Sequence, residues 1–172
     1  MRVLLAALLA FTQLSCVRLP DNIQPVDDFD LDRYLGQWYE IARLDHSFER
    51  GMQKVTATYE PRDDGGIRVI NRGFVTEKQA WKTAEGKAYF VEGEDSGFLK
   101  VSFFGPFYGS YVVFKLDQEN YQWAYITSYN RDYLWLLSRT PNISDERRED
   151  FLSTARHLGF DTQSLIFVEQ VN

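Results

Sequence analysis

Side chains able to do covalent or metal chemistry are sparse in this chain. It has one cysteine, Cys16, and two histidines, His46 and His157. A single thiol forms no intramolecular disulfide, and none is left in the body of the sequence for nucleophilic catalysis or a zinc site. No Ser, His and Asp, and no pair of carboxylates, fall in an arrangement that reads as a catalytic set. The two histidines stand alone, and a lone histidine is more often a surface residue than a ligand. No metal and no cofactor is expected. What remains is a set of isolated polar groups, Glu40, Asn71 and Tyr108 among them, set in an unusually aromatic sequence.

Cys16 has its own context. Arg2 precedes an apolar run, Val3 to Phe11, too short to span a bilayer but of the length of a signal-peptide hydrophobic region. Gln13-Leu14-Ser15-Cys16 resembles a bacterial lipobox, in which the cysteine is diacylated and becomes the mature N-terminus. Gln13 departs from the usual aliphatic residue at that place. The reading is a lipoprotein signal at 1–15, then an acylated N-terminus and linker at 16–28. The linker is polar and carries Pro20 and Pro25. Val17 follows the cysteine where an aspartate would signal retention, which implies sorting to the outer membrane, on its periplasmic side. The rival reading is an ordinary secretory signal with a cysteine nearby by chance.

The remainder has to fold as one domain of ordinary size, 29–172. Hydrophobic residues make up 44% and aromatics 16%, including 13 Phe, 10 Tyr and 4 Trp, enough for a core. The net charge of −6 offers no basic footprint for nucleic acid. Strand-like segments recur at even spacing: Gln37–Arg43, Val55–Arg62, Ile67–Phe74, Trp81–Val91, Phe98–Phe104, Ser110–Leu116, Trp123–Tyr129 and Tyr133–Arg139. The turn Asp63-Asp64-Gly65-Gly66 makes the second and third a hairpin. Val55, Ala57 and Tyr59 share one face of their strand, Ile67 and Val69 one face of theirs, and Leu99, Val101 and Phe103 one face of another. The expected fold is all-β: an eight-stranded antiparallel up-and-down barrel with room inside for one small ligand. A helix capped by Ser144, with its stripe Phe151, Ala155 and Leu158, should pack outside, stop at Gly159 and lead to a short ninth strand, Leu165–Val168.

Three motifs in register carry a resemblance. Gly36-Gln37-Trp38-Tyr39 opens the first strand after a helical turn at Leu31–Leu35. Asn130-Arg131-Asp132-Tyr133 lies between the seventh and eighth strands, and Arg139 closes the eighth. Together they resemble the lipocalin family over nearly the whole mature chain. The resemblance implies a calyx that binds a fatty acid or lysophospholipid, serves membrane maintenance under stress, and in some members dimerises. It also implies that Gly36, Trp38 and Arg139 are structural, with the guanidinium lying across the indole at the closed end. Alternation then places Val55, Ala57, Tyr59, Val69, Asn71, Phe90, Val101, Phe103 and Leu137 as ligand-lining candidates. Glu40 is expected inside, with its pKa raised. Trp135 should line the cavity near the mouth, and Tyr108 should offer its hydroxyl at the rim. The segment 44–54 reads as a lid. The cluster Phe103-Phe104-Phe107-Tyr108 equally suits a protein interface. Two other functions stay open at this point, a lipid-modifying enzyme using Glu40 and a haem or tetrapyrrole binder using the histidines. So does a barrel filled by its own side chains.

Overall fold

The computed structural model describes residues 17–170. Residues 1–16, on which the expected leader and the expected acylation of Cys16 fall, and residues 171–172 lie outside the described residues. Eight strands follow a four-residue helix α1 (Leu31–Tyr34): β1 (Gly36–Arg43), β2 (Met52–Pro61), β3 (Ile67–Val75), β4 (Ala80–Phe90), β5 (Phe98–Phe104), β6 (Phe107–Leu116), β7 (Trp123–Thr127) and β8 (Leu134–Ser138). Each pairs antiparallel with the next, and β1 pairs with both β2 and β8, so the sheet closes on itself. The all-β barrel expected from strand spacing is the observed one.

The strand ends differ from the periodicity in informative places. β2 starts at Met52 rather than Val55, through an irregularity in its pairing at Gln53–Thr56. β6 starts at Phe107, because Gly105-Pro106 alone turns the chain between β5 and β6. β7 ends at Thr127, whose hydroxyl donates to the Tyr133 carbonyl and closes the turn that follows.

One irregularity governs the interior. Against β8, Glu40 faces Leu137 while Ala42 faces Leu136, so β1 carries one extra residue. Such a bulge breaks the two-residue alternation. Ile41 and Ala42 therefore both pack on the outer cluster, and Arg43 is left buried beside Glu40. Past Tyr39, β1 and β2 part company. The gap at that end is filled by β9 (Ile166–Phe167), which pairs with Ala42 and Arg43. Just beyond it, Lys54 donates to the Glu169 carbonyl at 2.7 Å.

Two apolar clusters hold the molecule. Inside the closed end, Phe29, Tyr34, Trp38, Tyr59, Ile67, Leu99, Val113 and their neighbours pack together. Outside, α2 (Asp145–His157) lays Phe151 and Ala155 against Tyr125, Leu134 and Leu136. Phe151 is fully buried, worth about 2–3 kcal/mol of removed apolar surface. Ser144 caps α2 by accepting from the Arg147 amide, as expected. The segment 17–28, expected to be a free linker, is instead laid along the outer wall. Ile23 is buried, the Val26 amide donates to Val113 O at 2.9 Å, and Val26 O accepts from Gly97. Its apolar residues, unremarkable by composition, divide between the two clusters, Ile23 joining the outer one and Val26 packing against the inner one.

Candidate functional site

The barrel has a sealed end and a mouth, and a different arginine organises each. At the sealed end Arg139 lies 3.8 Å over the Trp38 ring. Its nitrogens donate to the carbonyls of Gln37, Arg33, Tyr34, Leu35 and Tyr121. Trp38 Nε1 donates to the Tyr34 carbonyl at 2.8 Å. Gly36 is needed here: its φ of +92° is in the region that L side chains avoid. This sealed end matches the structural role expected of Gly36, Trp38 and Arg139.

Above it, three phenols meet in the lumen. Tyr111 Oη lies 2.7 Å from both Tyr34 Oη and Tyr59 Oη. Burial pushes all three phenols above their usual range, so each stays neutral. Around them Phe29, Ile67, Val69, Ala88, Leu99 and Val101 leave an apolar gap with room for no more than one water molecule. Towards the mouth the inner wall loosens, and Val101, Phe103 and Trp135 are only half-buried.

At the mouth, Arg43 Nη1 donates to Glu40 Oε1 at 2.7 Å, and Nη2 donates to the carbonyls of Glu49 and Met52. The guanidinium thereby ties the loop 44–51 to β1. Trp135 Nε1 donates to Glu49 Oε2 at 3.2 Å. His46 Nε2 lies 2.9 Å from the same oxygen, within ion-pair distance but not aligned for a hydrogen bond. Its ring stacks 3.8 Å from Phe48. Burial pushes the Glu40 carboxyl well above the usual carboxylate range; Glu49 adds to this and Arg43 only partly offsets it. For Glu49 burial also acts upward, but His46, the Trp135 N–H and Arg43 outweigh it and hold its pKa below the ordinary value. Burial thus disfavours the ionised form of Glu40 even beside Arg43, while the donors around Glu49 favour its ionised form.

Most positions expected to line the lumen do so. Ala57, Tyr59, Val69 and Leu137 join the inner cluster, with Phe90, Val101, Phe103 and Trp135 packed against it. Val55 lies nearer the mouth with Met52 and Val168. Asn71 shares the inner face with Val69, and its Oδ1 is buried with no partner. Tyr108 is a correction: it stands on the outer face, with the Lys100 ammonium 5.2 Å from its ring and Tyr89 6.4 Å away. Gly109, not Tyr108, pairs with Val101, so alternation turns Tyr108 outward. His46 is a second correction, being buried at the mouth rather than on the surface. His157 is exposed on α2. Arg43 and Glu49 were not legible as site residues. Strict alternation puts Arg43 outside, and only the bulge at Glu40–Ala42 brings it in.

A closed antiparallel calyx, sealed by an arginine over a tryptophan and flanked by a C-terminal helix, defines the class, and residues 29–170 match the lipocalin-like domain family. The chain belongs to that family. It is 55% identical over 170 residues, 99% of each chain, to the protein named Outer membrane lipoprotein Blc of Vibrio cholerae serotype O1. Over 167 residues it is 52% identical to the protein of that name in Escherichia coli K12, covering 96% of this chain and 94% of that one. Among solved structures, insecticyanin from the tobacco hornworm Manduca sexta superimposes with a TM-score of 0.68 at 23% identity, covering 88% of this chain and 85% of that one. The last comparison speaks to the fold alone.

Proposed function

We propose that this protein is a non-enzymatic carrier of a single acyl chain, a fatty acid or lysophospholipid, held at the bacterial outer membrane by an acylated Cys16. The relatives named as outer membrane lipoproteins support the location. The observation that carries the ligand class is the lumen wall. Apolar side chains run from the phenol cluster up through Val69, Val101 and Phe103 and end under a polar ring of Arg43, Glu40 and Glu49.

That polarity suits a molecule with a greasy tail and a polar head. Burying some 10 methylenes yields about 8 kcal/mol gross. Ordering and association subtract from this, and so does the displacement of Phe103 and Val101 that a chain must cause in so full a lumen. Micromolar affinity is the expected result. Asn71 Oδ1 and Arg43 Nε, both buried without partners, are polar groups that a head group or its attached waters would satisfy.

Tryptophan fluorescence titrated with lysophosphatidylethanolamine tests the reading. A saturable change is expected, largely lost in Trp135→Phe, while Phe103→Glu weakens binding at least tenfold. No saturable binding of any acyl ligand by the folded protein refutes it.

A further inference from the structure

The large apolar side chains that the fold leaves most exposed are not scattered. Phe104 and Phe107 are 80% and 79% exposed, and Phe48 and Trp81 are 45% and 46%. Phe104 and Phe107 flank the Gly105-Pro106 turn, Phe48 lies in the loop between β1 and β2, and Trp81 begins β4 beside the β3–β4 turn. All four therefore stand at the mouth. Exposed aromatics gathered at one end of a barrel mark a contact surface.

Two observations say what it contacts. The first is where the chain leaves the barrel. Arg18 is fixed to the outer wall, its amide donating to Ser110 Oγ at 2.8 Å and its carbonyl accepting from that hydroxyl at 2.6 Å. Ser110 is three residues from Phe107, about 10 Å along β6, but six residues, about 20 Å, from Leu116 at the sealed end. Cys16 precedes Arg18 by two residues, a reach of at most about 7 Å. With 17–28 packed down, no spacer remains, so an anchor on Cys16 brings the mouth half of the barrel nearest the bilayer.

The second is charge. The connections at the sealed end, 27–35, 62–66, 91–97 and 117–122, hold eleven acidic residues against two basic. The mouth connections, 44–51, 76–79, 105–106 and 128–133, hold four against three. An anionic leaflet repels the first end and tolerates the second.

We propose that the mouth docks onto the lipid surface with Phe104 and Phe107 inserted among the acyl chains, so that a ligand passes between bilayer and lumen without crossing water. This rests on the anchored-carrier reading.

The test uses the full, acylated protein in phosphatidylethanolamine–phosphatidylglycerol vesicles, with and without brominated acyl chains. Phe104→Cys and Val91→Cys, at the mouth and the sealed end, each carry a polarity-sensitive fluorophore. The label at 104 is expected to shift blue and be quenched by bromine, and the label at 91 to do neither. In the unlabelled double variant Phe104→Ser/Phe107→Ser, flotation with vesicles should persist while bromine quenching of tryptophan falls several-fold. Acylated, floating protein whose label at 104 stays as wet as that at 91 overturns this inference alone. An unmodified Cys16 by mass spectrometry removes the anchor and the inference with it. A blue shift without vesicles, in step with a dimer mass, assigns the surface to a second copy and overturns it too.

Discussion

Replacing Arg139 with alanine separates architecture from ligand recognition. The guanidinium makes one cation–π contact with Trp38 at 3.8 Å, worth about 1 kcal/mol at a half-exposed site. It also donates to five carbonyls that join α1, the start of β1 and the β6–β7 connection. Charged donors to carbonyls contribute about 1.5–3 kcal/mol each when dry. Arg139 is partly open to solvent, and water can replace it, so roughly 0.5 kcal/mol each is the fair figure here. The sum is about 3.5 kcal/mol, which for a domain of this size lowers Tm by roughly 7–14 °C. Arg139→Lys keeps the charge but reaches fewer carbonyls, so it should fall between alanine and wild type. Thermal and urea unfolding give the stability, and lysophospholipid titration well below Tm gives affinity. Affinity should stay within about twofold, since Arg139 lies below the phenol cluster and outside the lumen. A stability loss under 0.5 kcal/mol, or a tenfold loss of affinity in the folded variant, refutes the assignment.

The mouth carboxylates should show opposite pH behaviour. Glu40 has its pKa raised on folding, so its favourable contribution is full below the ordinary Glu range and fades as pH rises towards the folded value. Glu40→Gln should therefore gain on wild type as pH rises above about 4.5. Glu49 has its pKa lowered, so its contribution is present above that range and lost as pH falls. Glu49→Gln should be most damaging at neutral pH and least in acid below about pH 4.5; urea midpoints across pH 2–8 that move in parallel for both variants would contradict this. Gly86→Ala would set a Cβ 2.7 Å from the Ser102 carbonyl and 2.9 Å from the Phe103 ring, an overpacking cost of about 1–3 kcal/mol readable as a lowered Tm. Tyr111→Phe deprives two buried hydroxyls of their shared partner and should cost about 1–3 kcal/mol by urea denaturation; a neutral result would show that those phenols bond elsewhere.

Strand spacing and the three motifs carried the barrel, the external helix and the sealed end, because period-two alternation and a Gly-x-Trp opening are local signals. Lumen positions in regular strands, such as Val69, Val101 and Leu137, were legible for the same reason. The mouth was not. A single extra residue at Glu40–Ala42 reverses the sense of everything after it, and no local pattern announces it. Arg43, Glu49 and His46 meet only once that bulge and the loop 44–51 are in place. Tyr108 was misplaced by the opposite error. Its nearness to a turn suggested the rim, whereas β6 starts at Phe107 and the pairing of Gly109 with Val101 turns Tyr108 outward. The polar stretch 17–28 looked like a tether because its docking uses backbone hydrogen bonds and two apolar side chains, Ile23 in the outer cluster and Val26 against the inner one.

Diffraction from crystals grown with a bromine-tailed fatty acid is the most direct test of whether the barrel interior opens to one acyl chain. The bromine's anomalous peak is expected inside the lumen between Val69 and Val101, with Phe103 swung from its present position. A peak confined to the outer surface around Phe104 and Phe107, over an undisturbed interior, would contradict the account.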